Sequence, residues 1–134
     1  MKTADKTRLI RRIASRLRGI PEIKLAYLFG SQARKNAGPT SDYDFAFYLD
    51  ERDSKKIFDT ECRIGNILAQ ELGSDEFDIA MLDRLDAPEL VYQIVQDGKL
   101  LIDREPYRTT FEPQAINQYE DHITLLRKNH LTRA

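Results

Sequence analysis

The stretch LFGSQARKNAGPTSDYDFAFYL, residues 28–49, decides how the chain folds. It begins with the end of an apolar segment that stops at Gly30 and Ser31, and it closes with alternating polar and apolar residues. Asp42 and Asp44 lie in that closing segment, where side chains two residues apart on a strand share one face. The stretch therefore predicts either an unusual hairpin or two strands that meet at a site able to hold phosphates and metal.

Outward from this stretch, the patterns predict alternating helices and strands. The predicted strands cover residues 23–29, 42–49, 76–82 and 99–102. The predicted helices cover residues 5–18, 31–37, 54–72, 86–97 and about 106–130. The first strand is apolar on both faces, which is typical of a central strand, and the last is predicted at an edge. The sequence thus predicts an α/β (α+β) fold with a mixed sheet of about four strands flanked by helices.

Four residues carry more detailed expectations about these helices. Asp86 is the predicted N-cap of the helix that follows it. Phe58 belongs to the predicted apolar stripe of helix 54–72, and Cys62 on the same helix is interpreted as a small buried apolar residue. Pro113 falls inside the pattern of the last helix, so that helix is expected either to kink there or to begin there.

Length and composition indicate one globular domain spanning residues 1–134. Charged residues make up 32% and hydrophobic residues 41%, and the net charge is −1. A net charge this small excludes a global basic field of the kind that attracts nucleic acid. A single cysteine rules out an internal disulfide. We expect a cytoplasmic protein, because the N-terminus is too charged for a signal peptide and no apolar run could span a membrane.

The charge is distributed unevenly along the chain. Within the first eighteen residues Asp5 is the only acid, against seven basic residues: Lys2, Lys6, Arg8, Arg11, Arg12, Arg16 and Arg18. The basic face of this helix is interpreted either as a solvated surface or as a docking face for an acidic partner or RNA.

The acids in the opening stretch predict a metal site. Two unneutralised carboxylates at 4 Å repel by about 4 kcal/mol at an effective dielectric constant near 20, so a bridging divalent ion would stabilise Asp42 beside Asp44. Asp78 is a third candidate, because it stands on the polar side of the third strand. Carboxylate oxygens favour Mg²⁺ or Mn²⁺.

The other end of the site is suited to phosphates. Glycine at position 30 allows close approach of the backbone, and amides at the start of a following helix favour anions. Ser31 adds a hydroxyl donor and Arg34 a guanidinium fork. A metal-bound nucleoside triphosphate combines both requirements.

These residues also resemble a known family. GSQARKNAGPTSDYDF, residues 30–45, is similar to the G-S-x10-D-x-D signature of the polymerase-β-like nucleotidyltransferases, and especially to the minimal nucleotidyltransferases (MNT). The resemblance covers a catalytic core of about 23–105 and, more loosely, a helical extension of about 106–131. It departs from the family pattern where many members have glycine directly after the arginine, because this chain has Lys35 there and its glycine follows at Gly38.

The resemblance implies a fold, cofactors and residue roles. The fold is the polymerase-β-like mixed sheet, with Mg²⁺ (or Mn²⁺) as cofactor and ATP as substrate. Gly30 and Ser31 would hold the triphosphate, with Arg34 as a further nucleotide-binding residue. Asp42 and Asp44 would bind metal, and Asp78 would complete the metal site and help deprotonate the acceptor hydroxyl.

The resemblance further implies the antitoxin half of a HEPN/MNT toxin–antitoxin pair. The protein would transfer AMP to a tyrosine of a HEPN ribonuclease toxin within a hetero-oligomer, with no membrane and no direct nucleic acid involved. Two alternatives stay open: an antitoxin that masks the toxin by binding alone, and a small-molecule adenylyltransferase. Enzymes of the latter kind usually carry an additional acceptor domain.

Overall fold

A four-stranded mixed sheet forms the centre of the molecule, in a computed structural model that describes residues 3–30 and 43–129. The strands are β1 (Leu25–Phe29), β2 (Tyr43–Tyr48), β3 (Phe77–Met81) and β4 (Lys99–Asp103). The helices are α1 (Thr3–Leu17), α2 (Ser54–Leu72), α3 (Pro88–Asp97) and α4 (Tyr107–Lys128). The predicted α+β class is confirmed, and the predicted helix over 31–37 lies outside the described residues.

The strands follow the spatial order β3-β2-β1-β4. β1 pairs antiparallel with both β2 and β4, whereas β2 and β3 run parallel. Parallel neighbours need a long crossover, and α2 provides it. The interior position of β1 and the edge position of β4 are both as predicted. Leu25 and Ala26 at the start of β1 are fully buried on opposite faces of the sheet.

The sheet separates two apolar cores. On one face α1 and α2 cover alternate residues of the central strands, and Ile13, Phe45, Phe47, Ile64 and Leu68 are fully buried there. On the other face α3 and α4 pack through a smaller cluster: Leu25, Tyr27, Ala46, Leu82, Val91, Ile94, Phe111 and Ala115. Because side chains alternate along each strand, the acids of β2 and β3 fall on this second face.

Polar side chains fasten the helices to the sheet. The buried Tyr27 hydroxyl donates to Glu112 Oε2 of α4 at 2.6 Å, and Arg108 Nε donates to the same oxygen at 3.1 Å. Arg104, just after β4, donates to the carbonyls of Ile23 at 2.7 Å and Arg18 at 2.6 Å. These contacts fix α4 on β1 and hold the connection between α1 and β1.

Part of the basic helix is committed to intramolecular contacts. Arg12 and Arg16 of α1 both form ion pairs with Glu71 of α2. Arg8 and Arg11 are exposed. Arg12 and Arg16 also stay exposed while they are paired, so the docking interpretation of the basic face stays a prediction.

Three of the detailed helix expectations are wrong. Ala87, not Asp86, is the N-cap residue of α3, and it makes no side-chain cap hydrogen bond. Phe58 is 57% exposed, because Ile57 takes the core position at this turn of α2. Cys62 is exposed as well, one turn after Phe58 on the same outer face. The buried stripe of α2 therefore runs through Ile57, Thr60, Ile64 and Leu68.

The last helix includes its proline. α4 begins at Tyr107 and contains Pro113, so of the two alternatives, a helix that begins at this proline is wrong. None of the helices in the described part of the chain has both the length and the apolar character needed to cross a membrane.

Candidate active site

Two of the three predicted metal ligands lie side by side on the sheet. Asp44 of β2 and Asp78 of β3 are direct partners in the parallel register. Neighbouring strands are about 4.8 Å apart, and residues in register project from the same face. Asp78 is exposed and Asp44 is partly buried. The parallel pairing thus brings together two carboxylates that are 34 positions apart in sequence.

Gly30 closes the site from the side of β1. Its φ of 77° lies in the left-handed region that L side chains rarely adopt. A Cβ added to this residue would overlap Asp44 Oδ2 and would lie 3.2 Å from Asp44 Cγ. Glycine is therefore required here both by backbone conformation and by the carboxylate that lies against it. The sequence predicted close approach of a phosphate at Gly30, and that contact stays a prediction, because the group beside Gly30 among the described residues is the Asp44 carboxylate.

The remaining predicted site residues lie outside the described part of the chain. They are Ser31, Arg34 and Asp42, together with Lys35 and Gly38, where the family pattern differs. Among residues 3–30 and 43–129, no three His, Cys, Asp or Glu side chains form a group that could hold a metal ion. Asp44 and Asp78 supply two carboxylate donors to one face, a donor set that suits a hard divalent cation.

A cavity that the sequence patterns did not predict adjoins Gly30. Its volume is about 170 Å³, and its walls come from the end of β1 and from α3. The lining residues are Phe29, Gly30, Leu90, Gln93, Ile94 and Asp97. Helical spacing indicates that the four α3 residues share a face, but it cannot tell that this face ends beside Gly30.

A larger cleft lies elsewhere and contains no predicted site residue. It measures about 630 Å³ and lies near the end of β2, between α3 and α4, where Tyr48 and Phe111 line it with Asp83. Asp83 accepts hydrogen bonds from the backbone N–H groups of Leu49 at 2.8 Å and Glu51 at 3.0 Å. Burial raises the pKa of Asp83, and these donors oppose part of that rise. We interpret Asp83 as a support for the turn that leads into α2.

Solved structures share this fold. One chain of a toxin–antitoxin complex crystallised with AMP-PNP superposes with a TM-score of 0.70 at 24% identity, covering 88% of this chain and 93% of that one. A chain from a complex of the tri-AMPylated Shewanella oneidensis HEPN toxin with its MNT antitoxin gives 0.66 at 23% identity, covering 90% and 92%. A chain of the MntA–HepT toxin–antitoxin complex gives 0.65 at 23%, covering 90% and 93%.

Sequence comparison identifies the family directly. No curated protein sequence matches the chain significantly. The family model described as "Polymerase beta, Nucleotidyltransferase" matches residues 11–107, which is more than half of the chain and includes Gly30, Asp44 and Asp78. The match, the mixed sheet and the paired acids agree, and the chain belongs to the polymerase beta nucleotidyltransferase family.

Proposed function

We propose that this chain is a Mg²⁺-dependent nucleotidyltransferase that transfers AMP from ATP to a tyrosine of a HEPN-type toxin, and that it thereby acts as the antitoxin. The observation that carries the proposal is the register pairing of Asp44 with Asp78, with Gly30 packed against the first of them. Two carboxylates on one face beside a strand-ending glycine suit a metal-bound triphosphate, because their oxygens are the ligands that a hard divalent cation prefers.

We assign the residue roles as the resemblance to the family implies. Asp42, Asp44 and Asp78 would hold Mg²⁺, and Mn²⁺ also suits oxygen donors. Gly30, Ser31 and Arg34 would bind the triphosphate. When bound, the metal neutralises phosphate charge and orients the α-phosphate for in-line attack.

The transfer is one substitution at phosphorus. The tyrosine oxygen attacks the α-phosphorus of ATP and forms the new P–O bond. The bond from the α-phosphorus to the bridging oxygen breaks, and pyrophosphate leaves with that electron pair. Asp78 would accept the hydroxyl proton, a role supported by the exposure of its side chain on the face of the sheet where Asp44 lies. The products are AMP–tyrosine, pyrophosphate and one proton.

The structural relatives support the choice of partner. The complexes with similar chains pair an antitoxin with a toxin, one with AMP-PNP and another with an AMPylated HEPN toxin. We propose a hetero-oligomer of the same kind for this chain. An AMP group on a tyrosine beside a ribonuclease site would block RNA, because it adds bulk and negative charge where an RNA phosphate must bind.

The test is co-expression of the cognate HEPN-type toxin with four forms of this chain: wild type, Asp44→Asn, Asp78→Asn and Asp86→Asn. Intact-mass spectrometry of the toxin reports the modification, and cell growth reports neutralisation. We expect one or more added adenylyl groups with wild type and with Asp86→Asn, which removes an exposed acid outside the site. The other two variants should lose modification by orders of magnitude, since they keep side-chain shape but remove metal-binding charge.

Each remaining outcome points to another function. If Asp44→Asn neutralises the toxin fully and the toxin keeps its unmodified mass with wild type, the protein is a masking antitoxin. If wild type consumes ATP only when a small hydroxyl compound is supplied, the acceptor is not a protein. ATP affinity by calorimetry that is equal in Mg²⁺ and in EDTA would contradict the metal-dependent mechanism itself.

A further inference from the structure

The cavity beside Gly30 is built from rigid parts. Ile94 of α3, which lines it, is 1% exposed, and the Gly98 N–H donates to the Ile94 carbonyl at 2.8 Å. A Cβ at Gly98 would also lie 3.5 Å from the Leu28 carbonyl of β1. The C-terminal end of α3 is therefore packed closely against the end of β1, and the cavity lies between them.

Two polar side chains face this cavity from α3. Gln93 and Asp97 are four residues apart, so they lie one turn apart on the same side of the helix. Both residues are exposed, and within residues 3–30 and 43–129 neither side chain makes a hydrogen bond or ion pair. Their hydrogen-bonding capacity is available to a ligand in the cavity.

The charges of the cavity exclude a phosphate. The Asp97 carboxylate accepts hydrogen bonds and repels anions. It is also the last residue of α3, where the partial negative charge of the helix dipole adds to the repulsion. A ligand group seated here must therefore donate hydrogen bonds and must not be an anion. Phe29, Leu90 and Ile94 supply apolar walls for its carbon skeleton.

The position and size of the cavity restrict the group further. Its 170 Å³ equals the liquid volume of about six water molecules, which is room for a sugar ring but not for a whole nucleotide. Gly30 lines the cavity and also lies against Asp44, so the cavity adjoins the place where the metal held by Asp44 is proposed to orient the α-phosphate. The part of a nucleoside triphosphate next to the α-phosphate is the ribose.

We propose that this cavity binds the ribose of the nucleotide, with Asp97 and Gln93 accepting hydrogen bonds from its 2′- and 3′-hydroxyls. The inference rests on the proposed function and extends it, because it assigns the two α3 residues that make the enzyme select ribonucleotides. A carboxylate that binds a ribose diol is a recurrent solution in nucleotide-binding proteins. A site built to bond a hydroxyl strongly disfavours the analogue that lacks it.

The experiment is calorimetric titration with ATP and with 2′,3′-dideoxy-ATP, both in excess Mg²⁺. We expect wild type to bind ATP about ten- to hundred-fold more tightly than 2′,3′-dideoxy-ATP, because only ATP can donate hydrogen bonds from its ribose hydroxyls to the charged Asp97. Asp97→Ala should reduce this ratio to less than about three-fold, and Gln93→Ala should give an intermediate ratio. The ratio is informative because loss of the Asp97 charge alters binding of both triphosphates equally.

Asp86→Ala is the matched control. It removes an exposed carboxylate just before the other end of α3, roughly 15 Å away along the helix, and should leave the ratio at the wild-type value. Equal binding of the two nucleotides by wild type, or an unchanged ratio in Asp97→Ala, overturns the ribose assignment while the proposed function stands. Failure of wild type to bind either nucleotide overturns both.

Discussion

Substitution of Gly30 by alanine should damage the site far more than its small size suggests. The residue has a φ of 77°, and alanine would place a Cβ where the Asp44 carboxylate now lies. Gly73, the C-cap of α2, offers a matched control, because its φ is 69° and an added Cβ meets nothing within 4 Å. Both substitutions force alanine into a conformation with positive φ, and only Gly30→Ala also displaces the Asp44 carboxylate.

The magnitudes separate the two effects. The left-handed conformation costs an L residue about 1 kcal/mol relative to glycine, so Gly73→Ala should lower the free energy of unfolding by about that amount. Gly30→Ala adds the cost of rotating Asp44 out of its rotamer or shifting β2, about 1–3 kcal/mol. For a chain of this length, each kcal/mol corresponds to roughly 4 °C in Tm.

Urea denaturation followed by circular dichroism measures the stability difference, and calorimetry measures Mg²⁺-ATP affinity. Gly30→Ala should lose at least about ten-fold in affinity beyond any loss in Gly73→Ala, because its Asp44 no longer aligns with Asp78. A double variant, Gly30→Ala/Asp44→Ala, should recover the additional stability loss, since the Asp44 Cβ lies at an ordinary 3.5 Å from the added carbon. Equal stability losses at the two glycines, with ATP affinity retained, would refute the reasoning.

Three further predictions concern residues outside the candidate active site. Burial and the hydrogen bond with Glu112 raise the pKa of Tyr27. Above about pH 10, the tyrosine pKa in the unfolded chain, the Tyr27 hydroxyl therefore stays protonated in the folded state and is deprotonated in the unfolded state. The free energy of unfolding should then fall by about 1.4 kcal/mol for each pH unit above that pKa. Urea denaturation at pH 9 to 11 should show a smaller fall for Tyr27→Phe than for wild type. Arg104→Ala leaves the carbonyls of Ile23 and Arg18 without their donor, so it should lower the free energy of unfolding, measured with urea, by about 2–3 kcal/mol. Arg84→Ala, the control, breaks a surface ion pair with Glu61 and should lower it by less than about 1 kcal/mol. Similar losses in the two variants would contradict the anchoring role of Arg104. Cys62 is the only cysteine of the sequence and is exposed, so a disulfide reagent should label one thiol per molecule of native protein. Labelling that occurs only in denaturant would contradict the exposure of Cys62.

The sequence predicted the elements well because their patterns are local. Helix 54–72 has the bounds of α2, and the alternation of residues 43–48 agrees with the two faces of β2. Errors arose where two side chains compete for one position. Ile57 and Phe58 are adjacent and both apolar, and only packing against the sheet decides that Ile57 is buried.

The site was predictable in part for the same reason. The i, i+2 spacing of the acids and the glycine before them are readable along the chain, and Asp78 was found because an acid interrupts an apolar pattern. The register that pairs Asp78 with Asp44 depends on how α2 crosses the sheet, which no local pattern specifies. The same limit applies to Gln93 and Asp97, because their proposed role depends on α3 ending beside β1.

Asp44 and Asp78 lie together only while β3 is paired with β2. β3 is an edge strand held to the sheet by one neighbour, so its local opening requires less free energy than global unfolding. Opening of β3 removes Asp78 from Asp44, and any ligand that needs both must keep the strand closed. Ligand occupancy therefore stabilises this edge selectively, by a free energy that grows with the logarithm of ligand concentration. The amide hydrogens of β3 should exchange more slowly in Mg²⁺-ATP, while those of β4, at the opposite edge, keep their rate.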